Sequence, residues 1–192
     1  MRKLKPFLRL VSGAYYFFGG LLMTLSGVLE FILGNTFPFV VFCSYGGFWL
    51  TFGATLTPHF NSFGAYNPEN PAMGVEDPTF MASYAFFDLW MAILSFIYLI
   101  GSLRTNLVYF LIFLTLCPMY CCLAGSFWEA AQDNTSAAKM LQHAGGGFAF
   151  ASSLLGWYLF LAMVLDSVDF PFSLPVGDLS RFIKGSKAKT VG

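Results

Sequence analysis

Between Arg9 and Glu69 this chain carries a single charged side chain, Glu30, and between Asp77 and Arg104 again only one, Asp88. No charge falls between Arg104 and Glu129. Uninterrupted apolar runs of about 20 residues are what an α-helix needs to cross a hydrocarbon core. Inside such a core each backbone N–H and C=O must find its partner within the protein, which leaves helices as the simplest solution. Composition agrees: 10% of residues are charged and 57% hydrophobic, against roughly 25% and 45–50% in a soluble domain. The sequence therefore predicts an all-α, polytopic transmembrane helix bundle embedded in a lipid bilayer. Five spans are visible, at about 7–33, 37–56, 81–103, 106–130 and 140–168.

A basic segment, 1–6, precedes the bundle, and a tail, 169–192, follows it and ends in Lys184, Lys187 and Lys189. The Arg104 turn and the lysine-rich tail fall on one face of a five-helix chain, which positive-inside counting makes cytosolic. The loop with Glu69, Glu76 and Asp77 falls on the other face. So does the N-terminus, although it carries Arg2, Lys3, Lys5 and Arg9. An even number of helices would place both basic ends inside; five cannot. A cleaved signal peptide would explain the basic start, but the apolar run is too long and shows no cleavage site.

Several function classes drop out. Net charge is zero, so no nucleic-acid partner is implied. The four cysteines, Cys43, Cys117, Cys121 and Cys122, lie within apolar runs and form no disulfide framework. Cys117 and Cys121 share a helix face without a histidine or carboxylate beside them, so they read as small packing residues rather than metal ligands. No nucleophile–base pair, metal set or phosphate loop is visible, so neither an enzyme nor a cofactor is expected.

Ionisable residues within a membrane are costly and default to functional readings. Glu30 ends the first span, where it either snorkels to water or takes part in proton coupling. Asp88 is buried in the third span or, if that helix starts later, interfacial. His143 opens the last span as a solvated helix-start residue or a proton relay. The hydroxyl and aromatic groups form a second set. Tyr45 and Trp49 are i, i+4 neighbours on one face, and the Tyr45 hydroxyl, deep in a span, needs a partner. Ser44 and Thr51 lie within a few turns of them. Asn35 and Thr36 precede Pro38 and are expected to cap a helix whose free N–H groups attract carboxylates. The loop sequence Asn134-Thr135-Ser136 is a glycosylation sequon.

Pro118 cannot donate to the Leu114 carbonyl, so the fourth helix is expected to bend beside Leu114. In the last span Gly147-x-x-x-Ala151 and Ser152-x-x-x-Gly156 have the small-residue spacing that lets helices approach closely. That spacing serves contacts within a subunit and between subunits equally.

Leu29-Glu30-Phe31, Gly34-Asn35-Thr36-Phe37 and Ser44-Tyr45-Gly46-Gly47-Phe48-Trp49-Leu50 stand in an order shared with Ser102-Leu103-Arg104-Thr105-Asn106, Leu114-Thr115, Gly145-Gly146 and Leu174-Pro175-Val176-Gly177. On these residues the chain resembles the acetate uptake transporter family of the SatP/YaaH type, with many fungal members. The resemblance implies six transmembrane helices per subunit, a hexamer, and a path for acetate or related short monocarboxylates, with proton coupling proposed. It also implies a central gate of a Phe, a Tyr and a Leu. Tyr45 matches the gate tyrosine and Leu114 the leucine. The family's first helix, with its NPAPLGL signature and gate phenylalanine, has no counterpart in this sequence. Asn70-Pro71-Ala72-Met73-Gly74 imitates the signature in a different loop, and Asp88 replaces an expected small or apolar residue.

The expected function is carriage of acetate or a similar carboxylate across the plasma membrane, with the C-terminus cytosolic. Tyr45 and Leu114 would form a dry constriction, with Asn35, Thr36, Ser44, Thr51 and Thr115 donating hydrogen bonds along the path. The alternatives are a non-transporting, shortened paralogue that senses acetate or joins six-helix relatives in a hetero-oligomer, and an exporter of ammonium.

Overall fold

The computed structural model describes residues 12–182. Among these, five helices are long and apolar enough to cross a membrane: α1 (Ser12–Ile32), α2 (Thr36–Leu56), α3 (Pro78–Ser102), α4 (Leu107–Ala131) and α5 (Thr135–Ser167). They form a transmembrane α-helical architecture in two compact units, one ending at Phe80 and the other beginning at Met81. Residues 7–11 of the first expected span, the basic N-terminus and the three tail lysines lie outside the described residues.

The first unit is a helical hairpin followed by a looped segment. α1 includes a π-helical stretch, Tyr15–Leu22. It ends because Gly34 turns left-handed, at φ +83°. The Asn35 N–H then returns to the Glu30 carbonyl (2.9 Å) and the Gly34 N–H to that of Phe31 (3.0 Å), which satisfies carbonyls the helix would otherwise orphan. α2 packs back on α1 through glycines. A Cβ on Gly46 would collide with Thr24, and one on Gly27 would stand 3.0 Å from the Cys43 nitrogen. Three short 3-10 turns follow, at Pro58–Phe60, Gly64–Tyr66 and Pro71–Glu76.

α3 starts earlier than the hydropathy suggests, at Pro78. The Asp77 carboxylate accepts from the N–H groups of Thr79 (2.8 Å) and Phe80 (3.2 Å), and a proline at the first helical position needs no donor. In the second unit α3 meets α4 through aromatic edges, with Tyr84 against Phe127 and Tyr98 against Phe113. Asn106 caps α4 by accepting from the Tyr109 N–H at 2.9 Å. α4 continues through Pro118 as one helix.

The last helix corrects the sequence reading. It starts at Thr135, not at 140, because Asp133 turns left-handed (φ 59°) and the Asn134 side chain accepts from the Ala137 N–H at 3.4 Å. Its 33 residues extend about 50 Å at 1.5 Å per residue, more than the roughly 30 Å hydrocarbon core. The chain then folds back over the α3–α4 turn. Leu107 N–H donates to the Gly177 carbonyl (2.7 Å), and Leu179 N–H to that of Thr105 (3.0 Å). The Tyr158 hydroxyl donates to the Pro175 carbonyl at 2.7 Å. Large apolar side chains such as Phe18, Ile32, Phe150 and Trp157 stand outward and exposed, as suits a bundle whose solvent is lipid.

Candidate substrate path

In the first unit, α2 places Tyr45 in the core, 6% exposed, with Gly46 beside it. One turn on, Trp49 stacks on Tyr15 of α1, with ring centroids 5.3 Å apart. Phe52 meets the same tyrosine edge-on at 4.9 Å. Tyr15 was not singled out by sequence reasoning. A tyrosine at the start of an apolar run carries no signal until the partner helix is known.

The hydroxyls are engaged differently from the expectation. Ser44 Oγ donates to the Val41 carbonyl (2.9 Å), and Thr51 Oγ1 to that of Gly47 (2.8 Å). In the second unit Thr115 Oγ1 lies 3.0 and 2.9 Å from the Leu111 and Ile112 carbonyls. A hydroxyl has one proton to give, so each spends it on its own helix. Back-bonding of this kind is how Ser and Thr are accommodated within an apolar helix.

Asn35 also departs from its expected role. It is the residue before α2, but its side chain makes no cap bond, and the third helical residue, Pro38, has no N–H to give. Its Nδ2 donates instead to the Glu30 carboxylate at 2.7 Å. Thr36 is the exposed first residue of α2. Glu30 is therefore part of the α1–α2 turn.

In the second unit Leu114 is 44% exposed. Asp88 is 3% exposed and shares a face of α3 with the fully buried Ser95 and Ser102, seven and fourteen residues on. It forms no ion pair among the described residues. His143 does not open the last helix; it lies more than two turns inside α5 and is exposed, because that helix starts at Thr135. Of the small residues in α5, Gly145 packs against Leu123 and Cys122 of α4, whereas a Cβ on Gly147 or Gly156 would meet nothing within 4 Å. The α4 contact within this chain therefore runs through Gly145. Ala151 and Ser152 are half-buried.

Five long apolar spans, with several Ser and Thr hydroxyls tied to their own helices and Asp88 buried within one span, define a polytopic helical membrane protein. Residues 7–181 match the GPR1/FUN34/yaaH family. The chain belongs to that family. It is 44% identical over 173 residues to protein alcS of Aspergillus fumigatus, covering 89% of this chain and 64% of that one. Acetate permease A of Emericella nidulans is 34% identical over 163 residues, with 83% of this chain and 52% of the relative covered. Ammonia transport outward protein 2 of Saccharomyces cerevisiae is 28% identical over 173 residues, covering 88% and 56%. The chain thus spans less than two thirds of the length of these curated relatives.

Proposed function

We propose that this chain carries acetate or a related short monocarboxylate across the plasma membrane, coupled to protons, with its C-terminus in the cytosol. The observation that carries the reading is family membership together with relatives named acetate permease and acetate transporter at 31 to 34% identity. Support comes from a tyrosine, Tyr45, buried in the core of a largely apolar helix one turn before Trp49, which stacks on Tyr15. A carboxylate entering hydrocarbon is heavily penalised, whereas its neutral acid is not. A dry lining at Tyr45 in the first unit, and separately at Leu114 in the second, would therefore favour the protonated acid, with the methyl group against aromatic walls. Hydroxyl oxygens of Ser44, Thr51 and Thr115 would accept a hydrogen bond from its O–H, and Asn35 and Thr36 would stand at the mouth of the first hairpin. Asp88, Glu30 and His143 are the candidate proton carriers, Asp88 foremost because it is buried. The open positions Gly147 and Gly156, on opposite sides of α5, would serve assembly into a homo-oligomer, a hexamer by family likeness, or a hetero-oligomer with a longer relative.

Uptake of labelled acetate by proteoliposomes tests the reading: flux above empty vesicles, rising as external pH falls, is expected. Export of ammonium is the second reading, favoured by the relative named for ammonia transport outward. Methylammonium flux that acetate does not compete with would select it.

A further inference from the structure

The α1–α2 and α4–α5 hairpins, each considered by itself, are two copies of one design. With Glu30 aligned on Glu129, Asn35 falls on Asn134 and Thr36 on Thr135. In both turns the residue before the asparagine is left-handed, Gly34 in one and Asp133 in the other. In both, the asparagine N–H returns to the glutamate carbonyl at 2.9 Å. In both, the asparagine amide donates to the glutamate carboxylate, at 2.7 Å in the first and 2.6 Å in the second.

The register persists into the helices. A Cβ on Gly27 would stand 3.2 Å from the Phe39 carbonyl; its counterpart Ser126 donates to the carbonyl of Ala138, the counterpart of Phe39, at 2.9 Å. Gly46 packs on Thr24, and its counterpart Gly145 packs on Leu123, the counterpart of Thr24.

The main-chain ladder also departs from the regular i→i+4 pattern at the same register in both copies. In α4, Pro118 has no N–H for the Leu114 carbonyl. In α1 the residue matching Pro118 is Gly19, within the π-helical stretch Tyr15–Leu22. A π-helix pairs residue i with i+5, so the carbonyl of Tyr15, the counterpart of Leu114, passes from the Gly19 N–H to that of Gly20. π-Helical turns within α-helices are rare, and those that occur are frequent at functional sites.

We propose that Tyr15, in the π-helical stretch of α1, lines the substrate path and sets which carboxylates pass, with Leu114, one turn before Pro118, as its counterpart by register in the second hairpin. The proposal rests on the transport reading above and deepens it. Tyr15 is placed for the role: half-buried, with one face on Trp49 and its edge on Phe52. That three-ring cluster gives a flat apolar wall ending in a hydroxyl, suited to a small acid with a methyl at one end.

The test has two arms. In a background lacking the four native cysteines, Tyr15→Cys and Leu114→Cys are treated in proteoliposomes with a small, charged methanethiosulfonate. Both should react at least tenfold faster than Phe18→Cys and Leu22→Cys, which stand exposed on α1 away from α2 and would face lipid on this proposal. In the flux arm, Tyr15→Leu should change the acetate-to-butyrate uptake ratio by roughly tenfold, and Phe17→Leu should leave it unchanged. Tyr15→Phe, which keeps the ring, should shift the ratio less and carries this arm if Tyr15→Leu does not fold. Labelling of Tyr15→Cys as slow as that of Phe18→Cys, or an unchanged ratio in an active Tyr15→Leu protein, would overturn the proposal. If wild-type vesicles move no carboxylate, the transport reading has failed, and the labelling arm alone decides whether Tyr15 faces a water path.

Discussion

The side-chain amide of Asn35 reaches back over the α1–α2 turn to the carboxylate of Glu30 at 2.7 Å, and Asn134 repeats the gesture to Glu129 at 2.6 Å. A charge-assisted bond of this kind contributes on the order of 1–2 kcal/mol at an exposed turn. Asn134 also caps α5, whereas Asn35 caps nothing. Asn134→Ala should therefore lower the apparent melting temperature in detergent more than Asn35→Ala, by the equivalent of about 1 kcal/mol. Glu30→Gln retains an acceptor and should fall between wild type and Asn35→Ala. Equal losses for the two asparagine variants would contradict the assignment of a cap to one of them.

Adjacent glycines give a sharper contrast. A methyl on Gly46 collides with Thr24, including its backbone nitrogen at 3.0 Å, while a methyl on Gly47 meets nothing within 4 Å. Gly46→Ala should force the hairpin apart at a cost of about 1–3 kcal/mol. Gly47→Ala should be neutral or slightly stabilising. Thermal unfolding of the two variants side by side decides this, and a destabilised Gly47→Ala would place the α1 contact on the wrong face of α2.

The segment after α5 is held by polar bonds to α5 and to the α3–α4 turn. Tyr158→Phe removes the hydroxyl that donates to Pro175 and should raise hydrogen exchange around 174–179 without altering the helices. Within this segment the Ser180 hydroxyl and backbone N–H, with Arg181 alongside, hold the Asp178 carboxyl below its ordinary range. A lowered folded-state value means that the ionised carboxylate favours the docked segment. Its contribution is present above the unfolded value of about 3.9 and is lost as pH falls through the lowered one. Exchange at these amides should be alike, after correction for intrinsic rates, at pH 7 and 5 and should rise only in stronger acid. A rise already at pH 6 would assign the docking to another group.

Among the described residues Asp88 is the one buried acid, and its α3 face also carries Ser95 and Ser102. Asp88→Asn keeps the shape and the hydrogen-bonding atoms but cannot exchange a proton. If Asp88 carries the coupled proton, Asp88→Asn should leave the protein folded and flatten the pH dependence of acetate uptake by at least about tenfold at the acidic end. An Asp88→Asn protein with the wild-type pH profile would assign coupling elsewhere.

Much of the fold was legible because the bilayer imposes a simple rule. Long runs without charge must be helices, and the punctuation at Gly34-Asn35 and Arg104-Thr105 separates them. The start of α5 was misplaced because hydropathy rises only near Met140, whereas the helix is nucleated upstream by a polar cap at Asn134. Asn35 looked like such a cap as well. It is not one, because its amide turns back to Glu30 and Pro38 withholds the N–H that Ala137 supplies to Asn134. The hydroxyls were legible as polar groups within apolar helices, but their bonds to carbonyls three and four residues back are set by rotamers that composition does not reveal. The kinship of the two hairpins was hidden for a different reason. Their helices are filled with dissimilar apolar residues, and little is shared beyond the glutamate, the asparagine, the threonine, the glycine pair at the crossing point and Leu56 with Leu155.

If this chain moves a short carboxylate, as proposed, initial-rate uptake of labelled acetate into proteoliposomes of the purified protein should be saturable, faster at acidic external pH, competed by propionate and reduced by Tyr45→Ala. Uptake no greater than that of protein-free vesicles at every pH would contradict the proposal.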